Sequence, residues 1–207
     1  MPDMLLFVTS SPLLALANLA MNAYQHYNLY YYYYSDKISP QTRTFSVAVH
    51  VTLMQILTIL TMLQFAYRKA KWHRLRGYAA CAVFVLNIPF ALHLAYMMLQ
   101  SRHWWHSFVQ VTSLLVSGTQ MVRVINVAQL SSMKTIHEAE ARKLASVING
   151  ASGARLLGNM YTYGFGVNEE SSYTLGLSTM FLMFLVPRIF DLLCNEWPRS
   201  SIKQHQR

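Results

Sequence analysis

Among the side chains that could carry chemistry, the histidines are arranged most suggestively. His50 lies seven residues after Arg43, and His93 lies nine before Arg102. Counted from the basic run Arg68 to Arg76, His50 is eighteen residues before it and His93 seventeen after it. On two antiparallel helices rising about 1.5 Å per residue, those counts put both imidazoles at nearly the same depth. His26, ten residues before Asp36, joins them if the segment that carries it also crosses. Ionisable side chains inside a membrane point to function, so His50 and His93 are candidates for a bis-imidazole haem b site, a proton relay or a quinone contact. The alternative is hydrogen bonding between helices by neutral imidazoles, which needs no cofactor. That alternative is preferred, because eight histidines among five helices match in depth easily by chance.

Other chemistry finds less support. His103 and His106 flank Trp104 and Trp105 and could share a metal at i,i+3 spacing, but the sequence offers no further ligand nearby, so interfacial anchoring is the expectation. The eight acids, Asp3, Asp36, Glu138, Glu140, Glu169, Glu170, Asp191 and Glu196, avoid the centres of the apolar runs. Neither G-x-S-x-G nor H-E-x-x-H occurs, and the run from Gly150 to Gly153 lacks the Gly-Lys-Ser/Thr ending of a phosphate loop. No catalytic residue and no metal site are assigned. Cys81 and Cys194 lie in or beside apolar runs without C-x-x-C spacing and read as small hydrophobes.

The elements that position these residues are set by composition. Charged residues make up 12% of the 207, about half the share that covers a soluble domain, while the hydrophobic set reaches 54%. Lipid is the solvent such a chain requires. Four Trp and thirteen Tyr suit the two membrane–water interfaces. The net charge of +9 is concentrated in the run that holds Arg68, Lys69, Lys71, Arg74 and Arg76, between two apolar stretches. That is the pattern of a short loop between spans rather than of a nucleic-acid-binding face, so nucleic acid is not an expected partner.

A helix needs about 20 apolar residues to cross the hydrocarbon core. The expected fold is an all-α polytopic transmembrane bundle in one membrane domain, with spans at 5–34, 44–67, 77–101, 104–130 and 171–194. The first is the most polar, with Pro12, Asn18, Asn22, Gln25, His26 and Asn28 ahead of Tyr30 to Tyr34. If it lies along the interface, the count falls to four. In the second, Thr52, Gln55, Thr58, Thr61 and Gln64 recur every third residue and predict a polar stripe facing other helices. Pro89 is expected to kink the third. Arg123, about 27 Å along the fourth, is expected to snorkel to the headgroups, and Arg188 to pair with Asp191 in the fifth.

Between the last two spans, 131–170 reads differently. Lys134, Glu138, Glu140, Arg142 and Lys143 oppose Met133, Ile136, Leu144, Val147 and Ile148, which predicts an amphipathic helix with Glu138 and Arg142 paired at i,i+4. It is expected on the membrane surface or against a partner. Gly150, Gly153, Gly158, Gly164 and Gly166 then predict a flexible or re-entrant connection. With five spans the Arg68–Arg76 loop and all of 131–170 share one face, cytoplasmic or matrix, and the C-terminus falls on the other. The sequence begins without a basic n-region or an Arg-rich amphipathic leader, so insertion through an uncleaved internal segment is expected.

The resulting functional expectation is a non-catalytic, membrane-embedded subunit or assembly partner of a larger complex, or a homo-oligomer, with no cofactor. Its rivals are a redox or proton-handling protein built on His50 and His93, and a small-solute carrier or channel. Pro12, Pro89 and Pro187 break three spans as in some carriers, but no internal repeat accompanies them.

Overall fold

The computed structural model describes Leu16 and residues 40–66, 70–128 and 134–194. The expected first span and His26 therefore lie outside the described residues, apart from Leu16. The described residues are helical and contain no strand. We label the helices α1 (Pro40–Ala66), α2 (Ala70–Gln100), α3 (Trp104–Ala128), α4 (Lys134–Asn159), α5 (Glu169–Met180) and α6 (Val186–Cys194). A π-helical turn, Met160–Gly164, extends α4, and a second, Phe181–Leu185, joins α5 to α6. Four stretches are long and apolar enough to cross a membrane: Phe45–Phe65, Trp72–Gln100, Trp104–Ala128 and Ser171–Cys194. The fold is an all-α bundle of the kind expected for an integral membrane protein.

Local chemistry explains several boundaries. The α2–α3 turn closes with His103 N–H donating to Met98 O at 2.9 Å and Arg102 N–H donating to Leu99 O at 3.1 Å. Arg102 sits there at φ 64°, the left-handed position where glycine is usual. Asn168 caps α5 by accepting the Ser171 N–H at 2.9 Å. The turn Phe181–Leu185 lies just ahead of Pro187, whose missing N–H and ring disfavour an unbroken α-helical ladder. Pro89, by contrast, lies inside a continuous α2.

The packing departs from expectation at α4. Its residues 144–150 are all buried, so at that level the helix is enclosed on every side. Leu144 and Ile148 join Leu57 of α1, Ala80 and Phe84 of α2 and Met121 of α3 in one apolar cluster. Val147 joins Val109 and Val116 of α3 and Leu185 ahead of α6 in another. The helix expected at the surface is thus central to the bundle.

Gly150, Gly153 and Gly158 likewise fall within α4 rather than in a flexible connection. They serve close approach. A Cβ on Gly158 would lie 3.3 Å from Ser172 O, and one on Gly150 would lie 3.2 Å from Phe184 Cγ. A Cβ on Gly176 would overlap Ala154 O and Gly158 N. Gly150, Ala154 and Gly158 on α4 thus face Ser172, Gly176 and Met180 on α5, both at four-residue spacing. Small residues at that spacing let two backbones approach and replace hydrophobicity as the basis of packing.

These contacts also fix direction. The first turns of α4 meet the ends of α3 and α6, and its last turn meets the start of α5. The helix runs the height of the bundle, antiparallel to α3. The start of α2, the start of α4 and the end of α6 consequently lie at the same end.

Candidate functional site

Between α1 and α2 the two expected histidines are placed in successive layers. His50 Nδ1 lies 3.0 Å from Asn87 Oδ1, and His93 Nδ1 lies 2.8 Å from Ser46 Oγ. Asn87 also donates from Nδ2 to Met54 Sδ at 3.4 Å. Antiparallel register sets Ser46 opposite His93 and His50 opposite Asn87, so the rings are staggered by about one turn, or roughly 5–7 Å. The depth match read from loop distances therefore does not put both rings against one gap. Each histidine instead has a hydrogen-bonding partner on the other helix.

The threonine stripe of α1 is partly inward. Thr58 and Thr61 are buried and bond back to their own helix, Thr58 Oγ1 to Met54 O at 2.9 Å and Thr61 Oγ1 to Leu57 O at 3.0 Å. Gln64 reaches α2, donating to His73 O at 3.0 Å. Thr52 is exposed.

Four charged side chains converge where α3, α4 and α6 meet. Lys143 Nζ lies 2.8 Å from Glu140 Oε1 and 2.9 Å from Asp191 Oδ2. Arg123, only 3% exposed, lies 3.7 Å from the same Asp191 oxygen and donates to Leu192 O at 3.3 Å. Gln120, fully buried, donates from Nε2 to Glu140 Oε2 at 2.5 Å. Arg123 is therefore turned into the bundle and does not snorkel. Isolated charges are costly to remove from water, and only opposite charges with further hydrogen bonds make this placement tolerable. Two cations and two carboxylates meet that condition here. Outside the cluster, Arg142 pairs with Glu138 at 2.8 Å, as expected, and its guanidinium carbon lies 5.4 Å from the Phe65 ring centroid.

At the opposite end, His106 stacks on Tyr173 with ring centroids 5.2 Å apart and planes inclined by 6°. Its Nε2 lies 3.5 Å from Thr174 Oγ1, while His103 meets the His106 ring edge-on at 5.3 Å. Trp105 Nε1 donates to Ser178 Oγ at 2.9 Å and its ring packs on Phe181. Both tryptophans expected to be interfacial are exposed, and Trp105 in addition ties α3 to α5. No group of three or more His, Cys, Asp or Glu side chains placed to hold a metal ion occurs among the described residues.

The charge cluster is the feature that sequence reading missed. A usable signal was present: Arg123 and Asp191 are opposite charges near the ends of two apolar helices, and Glu140 and Lys143 share an i,i+3 face. No family model, curated protein or solved structure matches the chain.

Proposed function

We propose that the chain is a non-catalytic integral membrane protein, a membrane-embedded subunit or assembly partner of a larger complex. The observation that carries this reading is the closure of its polar groups on one another. His50 with Asn87, His93 with Ser46, and Lys143 with Glu140 and Asp191 each join different helices or successive turns inside the bundle. Such pairs fix helix positions and register where lipid would supply no partner. The outer surface is apolar by contrast, with Val85, Leu86, Tyr96, Leu115, Leu182 and Leu193 exposed. Lipid or neighbouring transmembrane helices are the surroundings such a surface requires.

The test is extraction in a mild detergent followed by native mass measurement. A stoichiometric assembly with other membrane subunits, or a defined homo-oligomer, is the expected result. A clean monomer that retains the fold would contradict the assembly role.

A further inference from the structure

We propose that the last span, Ser171–Cys194, docks a transmembrane helix of another polypeptide that carries a carboxylate, with Arg188 as the counter-charge. The inference rests on the assembly reading above and deepens it by naming the face and the chemistry of the partner.

The first observation is an arginine without an anion. Arg188 and Asp191 stand three residues apart on one side of α6, the spacing at which they were expected to pair. Asp191 instead meets Lys143 at 2.9 Å, with Arg123 at 3.7 Å from the same oxygen. Among the described residues no hydrogen bond or ion pair engages Arg188. It lies six residues before Cys194, about 9 Å inside the end of the helix. Charges held within a membrane are paired with one another or with backbone carbonyls. Lys143, Glu140, Asp191 and Arg123 obey that rule together, and Arg188 obeys it once an anion is supplied from outside.

The second observation is how little of this span the bundle covers. Of the apolar stretch Ser171–Cys194, 17% is buried, against 33–39% for the other three. Leu182, Phe190 and Leu193 are exposed, no residue of α6 is fully buried, and Arg188 is half-buried among them. An apolar face with one recessed cation is the complement of an apolar helix with one carboxylate, because each charge supplies what hydrocarbon cannot.

Two other occupants fit this face less well. A second copy of the chain, packed through α6 about a two-fold axis, would set one Arg188 against the other. A lipid phosphate lies in the headgroup layer, whereas a carboxylate on a helix can be set at the depth of Arg188 itself.

The probe is a synthetic helix of about 22 Leu and Ala residues with a single Asp six residues from one end, compared with the same helix carrying Asn or Leu there. Association with the full chain in phosphatidylcholine vesicles is followed by energy transfer from a dye on Cys194, with Cys81 replaced by serine. The Asp helix is expected to bind at least about tenfold more tightly than the other two. Arg188→Gln is expected to remove that preference and Arg188→Lys to keep it, which separates a counter-charge from a requirement for folding. Equal binding of the three helices, or a preference that survives Arg188→Gln, overturns the proposal. Phosphatidylglycerol vesicles that abolish the preference would make a lipid phosphate the ligand and overturn it as well. The assembly reading fails separately. A clean monomer after mild extraction contradicts that reading, whereas an assembly of unchanged mass in Arg188→Gln keeps it and overturns this interface.

Discussion

Lys143 Nζ on α4 lies 2.9 Å from Asp191 Oδ2 on α6, joining residues 48 positions apart in a bundle whose outer surface is apolar. The same nitrogen is 2.8 Å from Glu140, so removing it takes away the cation that two largely buried carboxylates share. Lys143→Met is expected to lower stability by about 3 kcal/mol, measured by thermal unfolding in detergent. In a double-mutant cycle with Asp191→Asn, the two effects should couple by about 1–3 kcal/mol. Strict additivity would mean that the pair contributes nothing.

Close packing of α4 on α5 makes Gly176 intolerant of a side chain. An added Cβ would overlap Ala154 O and Gly158 N, which are backbone atoms that cannot swing aside. Gly176→Val is expected to abolish the folded, protease-resistant form. Gly164→Ala, with open space around its Cβ, should remain within about 0.5 kcal/mol of the parent. Equal tolerance at the two sites would show that the helices are not in contact there.

The α2–α3 turn holds a non-glycine residue at positive φ, Arg102 at 64°. Arg102→Gly relieves that backbone strain and is expected to raise stability by about 0.5–1 kcal/mol. A decrease in melting temperature would indicate that the arginine side chain matters more than the turn.

His50 and His93 are each expected to behave as hydrogen-bonding residues between helices. A cycle on His50→Ala and Asn87→Ala should give a coupling of about 0.6–1.7 kcal/mol, the range for polar pairs within membranes. The purified protein should show no Soret absorbance. A Soret band abolished by either His50→Ala or His93→Ala would establish the haem reading in its place.

How much of this was legible beforehand differs by element. Apolar length alone located the second to fourth expected spans and the fifth, because crossing hydrocarbon demands about 20 residues whatever they pack against. The pairing of Glu138 with Arg142 was also readable, being local to one helix. The central place of α4 was not. Its charges and glycines indicate a surface helix and a flexible connection when each residue is judged by its own polarity. They become inward-facing only when Asp191, 48 positions along the chain, supplies an opposite charge to Lys143, and when Gly176 admits the α4 backbone. The stagger of His50 and His93 was hidden for a similar reason. Counting from loops gives depth to within a turn, but register is set by which side chains meet across the helix pair.

The central claim is that α4 returns through the interior, which places the end of α6 on the same side as the basic start of α2. Sealed vesicles in one orientation, treated with a membrane-impermeant maleimide, test it directly. Native Cys194 is exposed and serves as the reporter for α6 once Cys81 is replaced by serine. Arg74→Cys and Arg102→Cys, made separately with Cys194 also changed to serine, report the two ends of the bundle. The account predicts that Cys194 and Arg74→Cys react from the same side and Arg102→Cys from the other. Cys194 reacting together with Arg102→Cys would contradict it and return residues 131–170 to the membrane surface.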